Sequence, residues 1–247
     1  MTYKIVGENT QAAVVTLTRG ETVRAEPGAM MFMSNGIEMQ TKMSGGLFKS
    51  LKRLVSGESL FLTIFEAKTP TATVAFAAPY PGTVRPLELA GNEWTCQRDS
   101  FLCATGEVDV QVTFTKKFGA GLFGGEGLIL QKISGNGVAF IHGGGNFMDF
   151  DLQKGETLRI DTGCIVAFEP TVDYDIQFVG GFKNTLFGGE GLFLATLSGP
   201  GKAILQTMPF SRMAGRILGA ASGREGQGSL GGLAGTIKDF GIFGNND

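Results

Sequence analysis

Gly57-Glu58-Ser59-Leu60-Phe61-Leu62, Gly125-Glu126-Gly127-Leu128-Ile129-Leu130 and Gly189-Glu190-Gly191-Leu192-Phe193-Leu194 are one phrase written three times. Each copy follows a Leu-Phe pair, at Leu47-Phe48, Leu122-Phe123 and Leu186-Phe187, and leads into an apolar run that ends in glycines. The copies stand about 65 residues apart, a period long enough for several strands per unit rather than one solenoid rung. The reading is therefore three β-rich repeats, spanning 1–86, 87–150 and 151–210, followed by a glycine-rich tail at 211–247.

Working outward from the phrase, Ala13-Val14-Val15-Thr16-Leu17 reads as a strand and Thr18-Arg19-Gly20-Glu21-Thr22 as a turn. Val23 to Glu26 forms a second strand, stopped by Pro27-Gly28, a strong turn signal. Ala29 to Met33 resumes the chain before Ser34-Asn35-Gly36. Ile37 to Met43 then alternates apolar and polar with period two, the mark of a half-buried strand. Lys154 to Gly163 matches Arg19 to Gly28 position for position, and Asp173 to Phe178 stands where Ile37 to Met43 stood. The middle copy is looser, with Glu93 to Ser100, Phe101 to Ala104 and Val108 to Phe114 in the same order. After the second and third phrases, Ser134-Gly135-Asn136-Gly137 and Ser198-Gly199-Pro200-Gly201 separate two apolar runs and read as hairpin turns. Short, regularly punctuated strands with almost no helical period before residue 210 predict an all-β sandwich, barrel or roll.

Composition agrees and narrows the function classes. The 247 residues are 43% hydrophobic and can fill a sizeable core, and the 39 glycines suit many tight turns. A formal net charge of −2 lacks the electrostatic footprint of a general nucleic-acid binder. The N-terminus has no signal-peptide core and no stretch is long and apolar enough for a spanning helix, so the expected compartment is the cytoplasm. Cys96, Cys103 and Cys164 form an odd set without metal-ligand spacing and read as small core residues.

No acid, base, nucleophile or metal set emerges, so no catalytic, cofactor-binding or metal residue is assigned and the protein is read as a non-enzyme. Gly119-Ala120-Gly121-Leu122-Phe123-Gly124 satisfies G-x-G-x-x-G, but a strand follows it where a dinucleotide fold needs a helix. His142-Gly143-Gly144-Gly145 resembles an oxyanion loop without any G-x-S-x-G elbow, and a single histidine excludes a multi-histidine metal site. Asp173 and Asp175 share a strand face, which fits either a cation or a solvated surface. Glu58, Glu126 and Glu190 recur in threefold register. They read as acceptors for backbone N–H groups in a glycine turn, with an acidic ring for a ligand as the alternative. The first copy alone carries Lys49-Ser50-Leu51-Lys52-Arg53-Leu54-Val55-Ser56. Phe48, Leu51 and Val55 there are spaced for two helical turns, with Lys49, Lys52 and Arg53 outward. Met213 to Leu218 is weakly helical, Gly219 to Ser229 reads as a linker, and Leu230, Leu233, Ile237 and Phe240 share a helical face. The basic insert at 49–56 and this tail are the candidates for contact with a membrane surface or a protein partner.

The triplicated phrase, Glu26-Pro27-Gly28-Ala29-Met30-Met31 and the closing Phe187-Gly188-Gly189-Glu190-Gly191-Leu192-Phe193 resemble a bacterial and archaeal family. Its eukaryotic relatives are called altered inheritance of mitochondria, member twenty-four, or mitochondrial biogenesis proteins. The resemblance runs from about residue 3 to 210. It implies a β fold similar to the tryptophan RNA-binding attenuation protein and to double-stranded β-helix proteins, with a short helical tail, and a ring-forming homo-oligomer, a trimer being favoured. It carries over no catalytic residue and no RNA binding. The expectation is a cytoplasmic, non-enzymatic oligomeric scaffold or interaction protein, with association to a membrane surface as a further possibility. The alternative is a small-molecule or ion-binding module with its ligand at a repeat or subunit junction.

Overall fold

The structure is a computed structural model that describes residues 1–43, 61–116, 128–179 and 192–222. Among these, seventeen strands run in order: β1 (Thr2–Val6), β2 (Ala12–Leu17), β3 (Thr22–Ala25), β4 (Met30–Met33), β5 (Ile37–Met43), β6 (Phe61–Ala67), β7 (Ala72–Ala77), β8 (Gly82–Glu88), β9 (Glu93–Gln97), β10 (Phe101–Lys116), β11 (Leu128–Gly144), β12 (Phe147–Leu152), β13 (Thr157–Asp161), β14 (Ile165–Phe168), β15 (Asp173–Val179), β16 (Leu192–Ser198) and β17 (Gly201–Gln206). One helix, α1 (Phe210–Ser222), follows. The fold is all-β. The chain divides into two compact parts at Pro209 and Phe210.

One pairing scheme accounts for nearly every ladder. In β2 to β7 the strands sort into two three-stranded sets, β2-β7-β4 and β3-β6-β5. In β12 to β17 the sets are β12-β17-β14 and β13-β16-β15. The middle stretch follows the same scheme with fused strands. The C-terminal half of β11 lies between β8 and the start of β10, and its N-terminal half lies between β9 and the rest of β10. The three stretches are called units 1, 2 and 3 below. Even a local irregularity recurs, since the ladder slips by one residue at Met30/Phe32, Phe101/Cys103 and Ile165/Ala167.

Two turns expected to close hairpins do something else. β16 and β17 do not pair with each other, and Ser198 to Gly201 is a corner at which the chain leaves one sheet for another. At Ser134 to Gly137 the chain does not turn back: β11 runs straight through and stays paired with β10 on both sides. The glycines there serve a close approach. A Cβ on Gly135 would stand 2.1 Å from the Glu107 carbonyl oxygen and one on Gly137 would stand 2.0 Å from that of Thr105. Gly106 faces them across the ladder with φ of 77°. The true hairpin partners are β5 with β6, β10 with β11 and β15 with β16, which pair up to Met43↔Phe61, Lys116↔Leu128 and Val179↔Leu192. The threefold phrase thus leads into the second strand of each hairpin.

Each unit buries its own core and borrows from its neighbour. One cluster joins Phe65, Phe76 and Val74 of unit 1 to Val84, Leu102 and Phe140 of unit 2. A second joins Phe101, Ala139 and Ile141 of unit 2 to Val166 and Ile204 of unit 3. Leu128 and Leu130 of unit 2 complete the third, around Phe168, Ile176 and Leu197. Cys96 and Cys103 are buried in these cores, as expected, and Cys164 is half-buried. In the second part of the chain α1 is longer than the expected Met213–Leu218 and runs through Gly219.

Candidate functional site: two unpaired strand edges

The units join through a repeated backbone contact. β3 of unit 1 pairs antiparallel with the start of β10 in unit 2, and β9 of unit 2 pairs antiparallel with β14 of unit 3. The registers agree. Ala25 lies opposite Cys103 at the first junction and Cys96 lies opposite Ala167 at the second. Arg24 strengthens the first junction by donating from Nη1 to the Val108 carbonyl oxygen. Once both junctions are made, one strand of each type is left over. Among the described residues β13 pairs only with β16, and β4 pairs only with β7.

Those edges differ from their counterparts in exposure but not in apolar character. Phe101 to Ala104 and Ile165 to Phe168 are buried along their whole length. The corresponding strand of unit 1, Met30-Met31-Phe32-Met33, is exposed at every position, with Met31 at 65% and Phe32 at 47%. Four adjacent large apolar side chains on an open edge are a liability in water that an isolated chain would be expected to blunt with charge. The sequence did carry a signal: Ala29 to Met33 is apolar without alternation, which suits a strand covered on both faces. β13 offers the other edge, with Thr157 and Arg159 exposed and Ile160 turned into the core.

The candidate residues read from the sequence are placed as follows. Glu58, Glu126 and Glu190, the basic insert at 49–56, the Gly119–Gly124 segment and the tail beyond 222 lie outside the described residues. His142 is buried in β11, with its ring 4.7 Å from that of Tyr80 and its Nδ1 without a hydrogen-bond partner among the described residues. Burial holds its pKa down to about 4. Asp173 and Asp175 are occupied locally: each accepts from the next backbone N–H, at 3.0 and 2.9 Å, and Asp175 also accepts from Gln177 Nε2 at 2.9 Å. The same acid–amide pair, two residues apart, forms at Glu38 with Gln40 and at Asp109 with Gln111. Among the described residues no group of three or more His, Cys, Asp or Glu side chains is arranged to hold a metal ion.

Two further features were not foreseen. Glu26, next to the first junction, is largely buried, with Oε2 unpartnered among the described residues, and desolvation raises its pKa to about 7 against the pull of Arg98. A groove of about 350 Å³ lies between β8 and β9 of unit 2 and β12 and β17 of unit 3. Trp94, Leu87 and Phe150 line it together with Arg85, Asp149 and Lys202. Arg85 donates from Nη2 to Asp149 Oδ2 at 3.0 Å and lies 4.6 Å above the centre of the Phe147 ring. That hydrogen bond holds the Asp149 carboxyl below its ordinary range. No helix of the described residues is long and apolar enough to cross a membrane.

Comparison with known proteins places these features in a family. An uncharacterized protein of Streptococcus pyogenes serotype M6 is 29% identical over 212 residues, covering 82% of this chain and 84% of that one. A Streptococcus pyogenes protein solved by X-ray crystallography shares the fold with a TM-score of 0.71 at 24% identity, over 87% of this chain and 97% of that one. Residues 3–208 match the family described as Mitochondrial biogenesis AIM24, and the chain belongs to that family.

Proposed function

We propose that the protein is a non-enzymatic interaction protein that works as a homo-oligomer, a ring of three being the number the family resemblance favours. The observation that carries this reading is the exposed strand Met30–Met33, whose two counterparts are fully buried inside the same chain. An apolar edge kept in a protein of net charge −2 is accounted for by a partner surface that covers it. Oligomerisation also removes the open ladder. Light scattering at micromolar concentration is expected to give a multiple of the 26.1 kDa chain mass, and a single-chain mass across that range would overturn the reading. The tail supports a peripheral membrane contact as part of the same role. Exposed Phe210 and Ile217 share one side of α1, while Arg212 and Arg216 lie on the other. Flotation with anionic vesicles is expected to weaken when residues 210–247 are removed; equal flotation would take the tail out of the role.

The groove between units 2 and 3 favours a second reading, a small-molecule binding module with its ligand at a unit junction. Trp94 is the single tryptophan of the chain and lines that groove, so its fluorescence reports occupancy. A metabolite panel is expected to yield a compound that shifts Trp94 emission and raises the melting temperature together. At 100 times its dissociation constant such a ligand adds about 2.7 kcal/mol. A panel that moves neither signal argues against this reading.

A further inference from the structure

We propose that β13 of one copy pairs antiparallel with β4 of the next, with Arg159 opposite Met33 and Ile160 opposite Phe32. This rests on the homo-oligomer reading above and names its interface. The register follows from ladders already present in the chain. Thr63, Gln131 and Ala195 occupy the same place in the central strands of the three units, each one residue after the Leu62, Leu130 and Leu194 of the shared phrase. Their ladder partners are Ala25, Cys96 and Ile160. Those three residues are therefore equivalent.

On the receiving side, the recurring one-residue slip aligns Met30 with Phe101 and Ile165, Phe32 with Cys103 and Ala167, and Met33 with Ala104 and Phe168. Inside the chain Ala25 meets Cys103 and Cys96 meets Ala167. The third instance of that rule is Ile160 meeting Phe32. Arg24 meets Ala104 and Thr95 meets Phe168, so Arg159 meets Met33.

The chemistry of the two edges suits this pairing. The buried start of β10 and buried β14 show how much apolar cover a neighbouring unit supplies, and among the described residues β4 receives none of this kind. Its exposed methionines and Phe32 stand where a preceding unit would lie. Arg159 occupies the place of Arg24, whose guanidinium crosses the first junction to the Val108 carbonyl oxygen. Val108 precedes Asp109 as Ile37 precedes Glu38, at matching ladder positions opposite Gly135 and Ala67 on the central strands. Arg159 accordingly has the Ile37 carbonyl of the adjoining copy as its target. The contact joins unlike surfaces, one donor edge and one acceptor edge per chain, so assembly is head-to-tail and closes as a ring when the rotation per copy allows it.

The test is disulfide trapping in a Cys164→Ser background. Two full-length proteins are made, one Met33→Cys and one Arg159→Cys, both at exposed positions that leave the core intact. Each is oxidised alone and then as a mixture. A covalent dimer formed only in the mixture is the expected result. Four outcomes overturn the proposal. The first is a dimer from Met33→Cys alone, which marks a like-with-like contact. The second comes from a third protein carrying both Met33→Cys and Arg159→Cys: closure on itself as a fast-migrating single chain while the mixture stays uncoupled. The third is an absence of cross-linking while light scattering still shows an oligomer; this removes the β13–β4 pairing and leaves the homo-oligomer reading standing. The fourth is a single-chain mass for the parent protein, which removes both. As a second measurement, Arg159→Glu is expected to shift the scattering mass toward one chain with the melting temperature unchanged, and an unshifted mass counts against the pairing.

Discussion

Glu26 keeps its proton to about pH 7 in the fold, whereas the unfolded chain releases it near 4.5. Between those values the native state binds the extra proton, so Glu26 makes stability fall as pH rises from 4.5 to 7. His142 acts in the opposite direction. The unfolded chain protonates it below 6.5 and the fold resists until about 4, so stability is lost as pH falls through that range. The two slopes oppose each other between 4.5 and 6.5. Replacing Glu26→Gln removes one of them and is expected to raise stability at pH 8 by about 1–2 kcal/mol while leaving pH 4 unchanged. Urea melts at both pH values check this, and a gain of equal size at pH 4 would assign the effect to packing. At this scale the turn before β3 was legible. Glu21 accepts from the Thr18 N–H at 2.7 Å and Glu156 accepts from the Gln153 N–H at 2.9 Å, each after a glycine with φ near 85°. Glu26 was not legible, because its environment is assembled by residues far away in the chain.

Among the elements, β10 and β11 stay paired through residues 134–137 because glycines there allow the two backbones to approach closely. Gly135 has φ of 119° and no room for a Cβ, so Gly135→Ala is expected to cost about 3 kcal/mol or more. Gly20→Ala is the matched control: its φ is 85° but nothing lies within 4 Å, and the cost is expected to stay near 1 kcal/mol. Chemical denaturation of the two variants separates crowding from backbone strain; equal losses would mean that the close approach carries no weight. These elements show where local pattern misleads. Ser134-Gly135-Asn136-Gly137 and Ser198-Gly199-Pro200-Gly201 have the composition of hairpin turns, yet neither reverses a strand onto its predecessor. Strand existence follows from alternation and punctuation within a few residues. Pairing depends on which distant strand arrives beside it, and β6, β11 and β16 each find theirs earlier in the chain.

For the whole molecule, the all-β class and the order of strands could be read from periodicity and the threefold phrase. The open edges could not be read, because an edge is defined by what fails to pair with it. Ala29 to Met33 had the composition of a core strand, and only the ladder and the exposure of Met30 to Met33 showed that the described residues leave it uncovered. This gives a prediction at the same scale. Phe32→Glu is expected to reduce the scattering mass to one chain and to change the stability of that chain by less than about 0.5 kcal/mol, since Phe32 is 47% exposed there. Phe76→Glu, fully buried, is expected to unfold the chain outright. A Phe32→Glu protein that also fails to fold would mean that β4 is part of the chain's own core.

The shared strands of unit 2 also decide where the polypeptide can be broken. β10 takes part in two ladders and β11 in three, so a missing peptide bond between Gly135 and Asn136 cuts a strand that β8, β9 and β10 all hold. A break between Gly199 and Pro200 falls between β16 and β17, and each remains whole in its own sheet. Fragments 1–199 and 200–247, made together in one cell, are expected to reassemble into a protease-resistant complex, whereas fragments 1–135 and 136–247 are degraded.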